Sequence, residues 1–393
     1  MILRAASGPV RLSVAAVGDV GVVGRARARA RREGFERVFA GIAGAMRGAD
    51  LGFANLEFPV GEPEWVEPGR AAEFRHDPEV PAALVAAGVR VVSLANNHMM
   101  DCGARGLLRT LERCAAEGLE TAGAGATLDR ARQPARLTVR GRRVVLLAYA
   151  AAGDHAAGPA RCGVAPLDRA VIERDLERWR PEADDLIVSA HWGSMYVDYP
   201  PPRVLEVADW LIAHGVDLVL GHHPHVTQGF RARGAALTLF SLGDIVFDPS
   251  AGEFEAGVAG ELRRDTGVFT VTLAPESGLA LDPLVLDADG VPAPADPVRA
   301  AAAAERLARL GAGLEQGAER FRSESAPTLL RYELESLGTY LRRGRLDRAL
   351  KLLFSLRPRH VPLIWSALTR RRGAGLARGA AGDAGAAPGE RSR

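Results

Sequence analysis

Cysteine is scarce in this 393-residue chain: Cys102, Cys114 and Cys162 are the only three. An odd number without a CxxC pair excludes a disulfide framework and a thiolate zinc knuckle, and it points to reduced thiols. Lysine is scarcer still, with Lys351 alone among 50 basic residues, a bias of GC-rich coding more than of chemistry. Net charge is small as well. Fifty Lys and Arg against 48 Asp and Glu leave +2, so a uniformly basic nucleic-acid binder is excluded. No apolar run approaches the ~18–20 residues that a transmembrane helix needs. A signal peptide is not expected, because its cleavage would remove part of the motif that follows Leu12–Val17. The location expected is cytoplasmic. With 47% hydrophobic and 25% charged residues, the remaining composition is that of a folded globular protein.

What is present is an ordered series of short apolar runs. Leu12–Val17, Leu51–Asn55, Val89–Leu94, Arg143–Tyr149, Leu186–Ala190, Val216–Leu220 and Ala236–Ser241 are rich in Val, Leu and Ala. Such runs suit strands buried on both faces. Helical patterns at Phe35–Met46, Gly103–Glu117, Asp168–Trp179 and Arg203–His214 fall between them. This alternation predicts a layered α/β domain, closed by a strand pair at Thr266–Leu273 and Leu279–Leu286. The proline-rich 291–297 (VPAPADP) reads as a linker. Residues 298–372 read as helical, and the Gly-, Ala- and Arg-rich 373–393 as a disordered tail. The organisation expected is therefore a body of residues 1–290 with a helical appendage.

Ligands of α/β sheets bind beyond the carboxyl ends of strands. Here nearly every apolar run ends in polar residues: Gly18–Asp19, then Asn55–Leu56–Glu57, then Asn96–Asn97–His98 with Asp101. His191 follows, then GHHPH at 221–225, then Asp244 and Asp248. One at a time these have ordinary explanations. Asp19 or Asp101 can cap a helix, Asn96 and Asn97 can shape a turn, and a single His191 can be a hydrogen-bonded structural residue. GHHPH resists that treatment, since three histidines within four positions after a strand have no packing role. Five of the nine histidines lie in these strand-end motifs. Imidazole mixed with carboxylate and amide oxygen suits divalent transition metals. Six or more candidate ligands favour two ions, Mn, Fe or Zn, over one closed tetrahedral zinc. Two-metal sites of this kind serve hydrolysis of phosphoesters and related bonds.

The motifs GDV at 18–20, ANLEFPV at 54–60, SLANNHMMDCG at 93–103 and AGAG at 122–125 resemble, in order and wording, those of the CapA family. So do SAHWGSMY at 189–196, GHHPHVTQGF at 221–230 and FSLGDIVFD at 240–248. CapA proteins are tied to poly-γ-glutamate capsule synthesis and are related to calcineurin-like metallophosphoesterases. The resemblance implies a four-layer αββα sandwich with its site at the strand ends. It implies Asp19, Glu57, Asn97, His191, His223 and His225 as metal ligands, Glu57 as the bridge, His98 as proton donor and Asp101 as its orienting partner. Asn55, Asn96, His222, Gln228 and Asp244 are then candidates for substrate contact, with His222 alternatively a group behind the ligands. Four positions depart from the pattern. Gly21 stands where calcineurin-like enzymes carry a metal-binding histidine, and Glu57 where they carry Asp. Asp244 replaces an Asn, and Met195 replaces an acidic residue common after HWG.

Residues 340–372 carry ten basic side chains against Asp347 alone, interleaved with Leu, Phe and Trp. Such a stretch either lies in an anionic membrane interface, here the inner face, or packs its apolar stripe on the body. Three functions follow as expectations. The leading one is a hydrolase of a phosphorylated polymer intermediate or γ-glutamyl-type amide, working with capsule-synthesis partners. The others are a non-catalytic accessory protein of a capsule synthesis or export complex, and a phosphoesterase unrelated to capsules.

Overall fold

The computed structural model describes residues 1–68, 74–151, 153–248 and 264–330, with 337, 338, 341 and 346 beyond them. The basic stretch at 340–372 and the tail at 373–393 fall almost wholly outside the described residues. The chain divides into two units, Met1–Phe321 and Arg322–Arg393.

Two sheets build the first unit. One runs in the order β1 (Ile2–Arg4), β16 (Gly278–Leu286), β15 (Asp265–Leu273), β2 (Leu12–Gly21), β3 (Leu51–Leu56), β4 (Val91–Ser93), β5 (Glu120–Ala122), with β14 (Asp244–Phe247) also beside β2 and β17 (Pro292–Pro294) beside β16. The other is ordered β12 (Phe230–Arg233), β13 (Ala236–Leu239), β11 (Leu218–His222), β10 (Asp185–His191), β8 (Arg142–Ala150), β7 (Ala135–Val139). A small ribbon joins β6 (Ala124–Gly125) to β9 (Gly163–Val164). The central strands of both sheets pair in parallel, which aligns their carboxyl ends.

Side-chain alternation along β8 shows how the layers form. Val144, Leu146 and Ala148 enter the core between the sheets with Leu12, Phe53 and Leu218. Val145, Leu147 and Tyr149 point the other way, toward Ile172 and Leu176 of helix Arg169–Trp179 and Leu211 of helix Pro202–Ala213. With period 2 and both faces covered, β8 is buried without interruption from Val144 to Ala150. Helix Ala40–Gly48 covers the outer face of the first sheet through Ile42 and Met46. The result is the expected helix–sheet–sheet–helix sandwich.

The proline-rich 291–297 differs from the expected linker. Pro292–Pro294 form an edge strand on β16, a place where a missing N–H costs no ladder bond. Helix Pro297–Gly313 follows, capped by Asp296 and packed on β12 and β16. No helix among the described residues is long and apolar enough to cross a membrane.

His76 carries a pH prediction of its own. Its Nε2 accepts the Val22 N–H at 3.1 Å, and burial, with Arg27 adding to it, pushes the ring from 6.5 down to about 3. The folded state therefore keeps His76 neutral where the unfolded chain protonates it. That stability is full above pH 6.5 and is lost as pH falls, at about 1.4 kcal/mol per unit per histidine. Urea midpoints between pH 7 and 4.5 are expected to fall less steeply in His76→Gln than in the wild type. Parallel slopes would refute this.

Candidate metal centre

The strand registers bring the polar motifs together. Asp19, near the end of β2, is opposite both Asn55 of β3 and Asp244 of β14. Across the core, His191 of β10 is opposite His222 of β11. The turn after β11 then swings His223 and His225 toward the first sheet with φ of 96° and 56°. Left-handed backbone at two non-glycine residues costs on the order of 1–3 kcal/mol each and collects at functional sites. Two close approaches need glycine. A Cβ at Gly18 would lie 1.8 Å from the Gly243 carbonyl, and one at Gly221 2.0 Å from that of Phe240.

At the floor, the Asn55 amide donates to Asp19 Oδ1 at 2.8 Å and to Glu57 Oε2 at 2.7 Å. The His223 N–H donates to Asp19 Oδ2 at 3.0 Å. Asp19, Glu57 and His225 each offer a ligand atom, all within 4.8 Å of one another. On the other side, His191 Nε2 meets Asn97 Oδ1 at 2.7 Å, and its Nδ1 lies 3.9 Å from Glu57 Oε2. The His191 and His223 rings are 4.9 Å apart. At the rim, His98 Nδ1 pairs with Asp101 Oδ2 at 2.7 Å, and its Nε2 faces Glu57 Oε1 at 4.0 Å.

The electrostatics call for a cation. Burial raises Glu57 well above the usual carboxylate range, and the carboxylates of Asp19, Asp244 and Asp101 raise it further. Burial acts to raise Asp19 too, but the His222 contact and the surrounding imidazoles hold it below its ordinary value. Burial lowers His191 well below its ordinary value, with His223 next in effect. His223 is pushed down to about 3 by burial and by His225. Among the described residues, Glu57 Oε1, His191 Nδ1 and His223 Nδ1 are buried without a hydrogen-bond partner. Buried carboxylates and neutral imidazoles left this way are costly unless something bonds them. A divalent ion suits both donor types. The residues fit the group.

The profile of the family described as bacterial capsule synthesis protein PGA_cap matches residues 13–249, more than half of the chain. The chain belongs to this family. It is 28% identical to the capsule biosynthesis protein CapA of Bacillus anthracis over 247 residues, covering 61% of this chain and 60% of that one. It is also 28% identical to the PGA biosynthesis protein CapA of Bacillus subtilis over 268 residues, 66% of this chain and 70% of the relative. The chain thus spans about three-fifths of the length of the first relative. A 5′-nucleotidase precursor from Thermus thermophilus is among the similar solved structures, at 13% identity and TM-score 0.41, over 75% of this chain and 58% of that one.

Within this PGA_cap domain, all six expected ligands and the His98–Asp101 pair line one cluster. The five residues expected at the substrate are all buried: Asn55, Asn96 and His222 at 0% exposure, Asp244 at 1% and Gln228 at 2%. Asn55 braces two carboxylates. The Asn96 side chain is spent on backbone, donating to Leu56 O and accepting from the His98 and Met99 N–H groups. His222 lies against Asp19, its Nδ1 3.2 Å from Oδ1 and its ring 5.6 Å from Phe53. Gln228 donates to Val197 O. Sequence reasoning had seen polar strand ends but not which layer each side chain occupies. It also passed over Tyr196, half-buried at φ 62° with its ring 5.9 Å from His225. It passed over Phe58 and Phe74 too, whose rings flank His98 at 5.0 and 5.2 Å. Of these, only Phe58 stands directly after a polar motif, next to Glu57.

Proposed function

We propose that this PGA_cap protein is a metal-dependent hydrolase of a phosphoester or related bond in capsule or poly-γ-glutamate-type polymer synthesis. The observation that carries the reading is the buried Asp19–Glu57–His225 convergence beside partnerless donors of Glu57, His191 and His223. Asp19, Glu57 and His225 would hold one ion, Asn97, His191 and His223 a second, with Glu57 between them. Such ions supply Lewis acidity and lower the pKa of coordinated water from 15.7 toward ~7. The chain's own residues supply the rest. Asn55 fixes the two carboxylates, Asp101 holds the His98 ring through Nδ1, and His98 Nε2 is left to give a proton to the leaving atom. The substrate class proposed is a phosphorylated intermediate or a γ-glutamyl-type amide. The names of the Bacillus relatives support the pathway.

A second reading, an accessory protein with a weakened metal site, is favoured by one observation: Phe247 and Phe58 crowd the position at Gly21 where related enzymes place a histidine. One experiment separates the two. Chelator-treated protein is expected to regain up to two equivalents of Mn²⁺, Fe²⁺ or Zn²⁺, to melt at higher temperature with metal than without, and to hydrolyse an aryl phosphate only when loaded. Absence of metal uptake would refute the hydrolase reading. Uptake without hydrolysis of phosphate or γ-glutamyl substrates would favour the accessory role.

A further inference from the structure

We propose that Asp244 is a positioning residue for the ion held by Asp19, Glu57 and His225, standing in for a fourth protein ligand that the fold has shut out. The inference rests on the metal-site reading above and goes beyond it by assigning a role to a residue on the neighbouring strand.

The shut-out position is Gly21. A Cβ built there would lie 2.5 Å from one ring atom of Phe247 and 3.0 Å from one of Phe58, so a histidine does not fit. Phe247 reaches this place through strand pairing: β14 runs parallel to β2 with Asp244 opposite Asp19 and Phe247 opposite Gly21. The register shifts between Ile245 and Phe247, and the intervening Val246 has φ 50°, an outlier for a β-branched residue. A bulge of this kind re-aims side chains next to functional sites.

The same strand that plugs position 21 delivers Asp244. Its Oδ1 lies 2.7 Å from His225 Nδ1, and the carboxylate is 1% exposed. Asp244 is not one of the three residues that converge within 4.8 Å; its contact is with His225 Nδ1, which lies farther, 3.6 Å, from Asp19 Oδ2. A carboxylate at Nδ1 makes that nitrogen the donor, fixes the ring's tautomer and orientation, and leaves the Nε2 lone pair for the ion. It also makes the imidazole a more basic ligand. At a position with one protein ligand fewer, that grip matters more. An asparagine here could accept the same proton but would bring no charge.

The test uses the full chain, Mn²⁺ as probe, and Asp244→Asn and Asp244→Ala variants, with Mn²⁺ affinity read by titration calorimetry and by electron paramagnetic resonance. Both variants are expected to bind one Mn²⁺ about 10–100-fold more weakly, with melting of the metal-free protein little changed. Nitrogen-15 spectra of the histidine-labelled, metal-free wild type are expected to show His225 protonated at Nδ1, and Asp244→Ala to lose that preference. Affinity unchanged in either folded variant would overturn the proposal alone. So would His225 protonated at Nε2 in the wild type, a result available even if a variant fails to fold. A wild-type chain that takes up no Mn²⁺ would overturn the metal-site reading and this proposal together.

Discussion

Replacing His98 by alanine is expected to slow metal-dependent hydrolysis of an aryl phosphate about 10²–10⁴-fold, with bound metal unchanged. On the proposed reading His98 would transfer a proton and would not bind the metal. Its Nδ1 is taken by Asp101 at 2.7 Å, and its side chain keeps 16% exposure where Asp101 and Glu57 keep none. Phe58 and Phe74 stand edge-on to the ring at 5.0 and 5.2 Å, which limits the rotamers it can adopt. On that proposal a leaving group would meet Nε2 at the rim. Asp101→Asn is expected to retain metal and lose less activity than His98→Ala, since it disturbs the ring's orientation and leaves the proton carrier in place. Metal content by mass spectrometry beside initial rates decides the matter. Wild-type rates in His98→Ala would remove it from the chemistry. Loss of metal along with activity would recast it as a ligand.

Gly18→Ala is expected to abolish cooperative folding. The added Cβ would sit 1.8 Å from Gly243 O and 3.0 Å from Leu242 C, both backbone atoms. Asp19 N donates to that same Gly243 carbonyl at 2.9 Å. The methyl has no flexible neighbour to displace, so β2 and the turn at 241–243 must separate. That would break the pairing which sets Asp244 beside Asp19. The expected penalty exceeds about 4 kcal/mol, a large share of the roughly 5–15 kcal/mol that holds a domain folded. Gly44→Ala is the control. It lies within helix Ala40–Gly48 with nothing within 4 Å of its would-be Cβ, and alanine there is expected to stabilise by about 0.5–1 kcal/mol. Chemical denaturation of both variants tests the contrast, and a cooperative, near-wild-type Gly18→Ala transition would contradict the close approach.

The long strands were legible because each carries a central apolar run: Leu12–Val17 grows to Leu12–Gly21, and Arg143–Tyr149 to Arg142–Ala150. The motifs were legible for a related reason. A strand carrying hydrophobic residues up to a sudden Asp, Asn or His has nowhere to put that residue except its end. Short elements escaped. β14 is four residues long, with a bulge at Val246, and no periodicity fits within it. Helix Gly24–Glu33 escaped because its alternating arginines mimic a solvated loop. Two of its members are in fact held in ion pairs by Asp77, Arg27 at 2.9 Å and Arg31 at 2.6 Å.

By itself the sequence determined the chemistry available to this protein. Its three cysteines, its near-balanced charge and its histidines gathered at strand ends left an oxygen- and nitrogen-lined metal centre as the coherent use of those residues. Only the tertiary structure decided which of these side chains meet. Asp19 and Asp244 are 225 positions apart in the chain yet opposite one another across two parallel strands, and His191 of β10 meets Asn97, in the loop after β4, at 2.7 Å. Contacts divide these polar residues: Asn96 spends its side chain on backbone groups, and His222 lies against Asp19 and Phe53. The physical reason is that a linear pattern records which faces a strand must bury. Which group lies across the core, and at what distance, is set by how the two sheets pack.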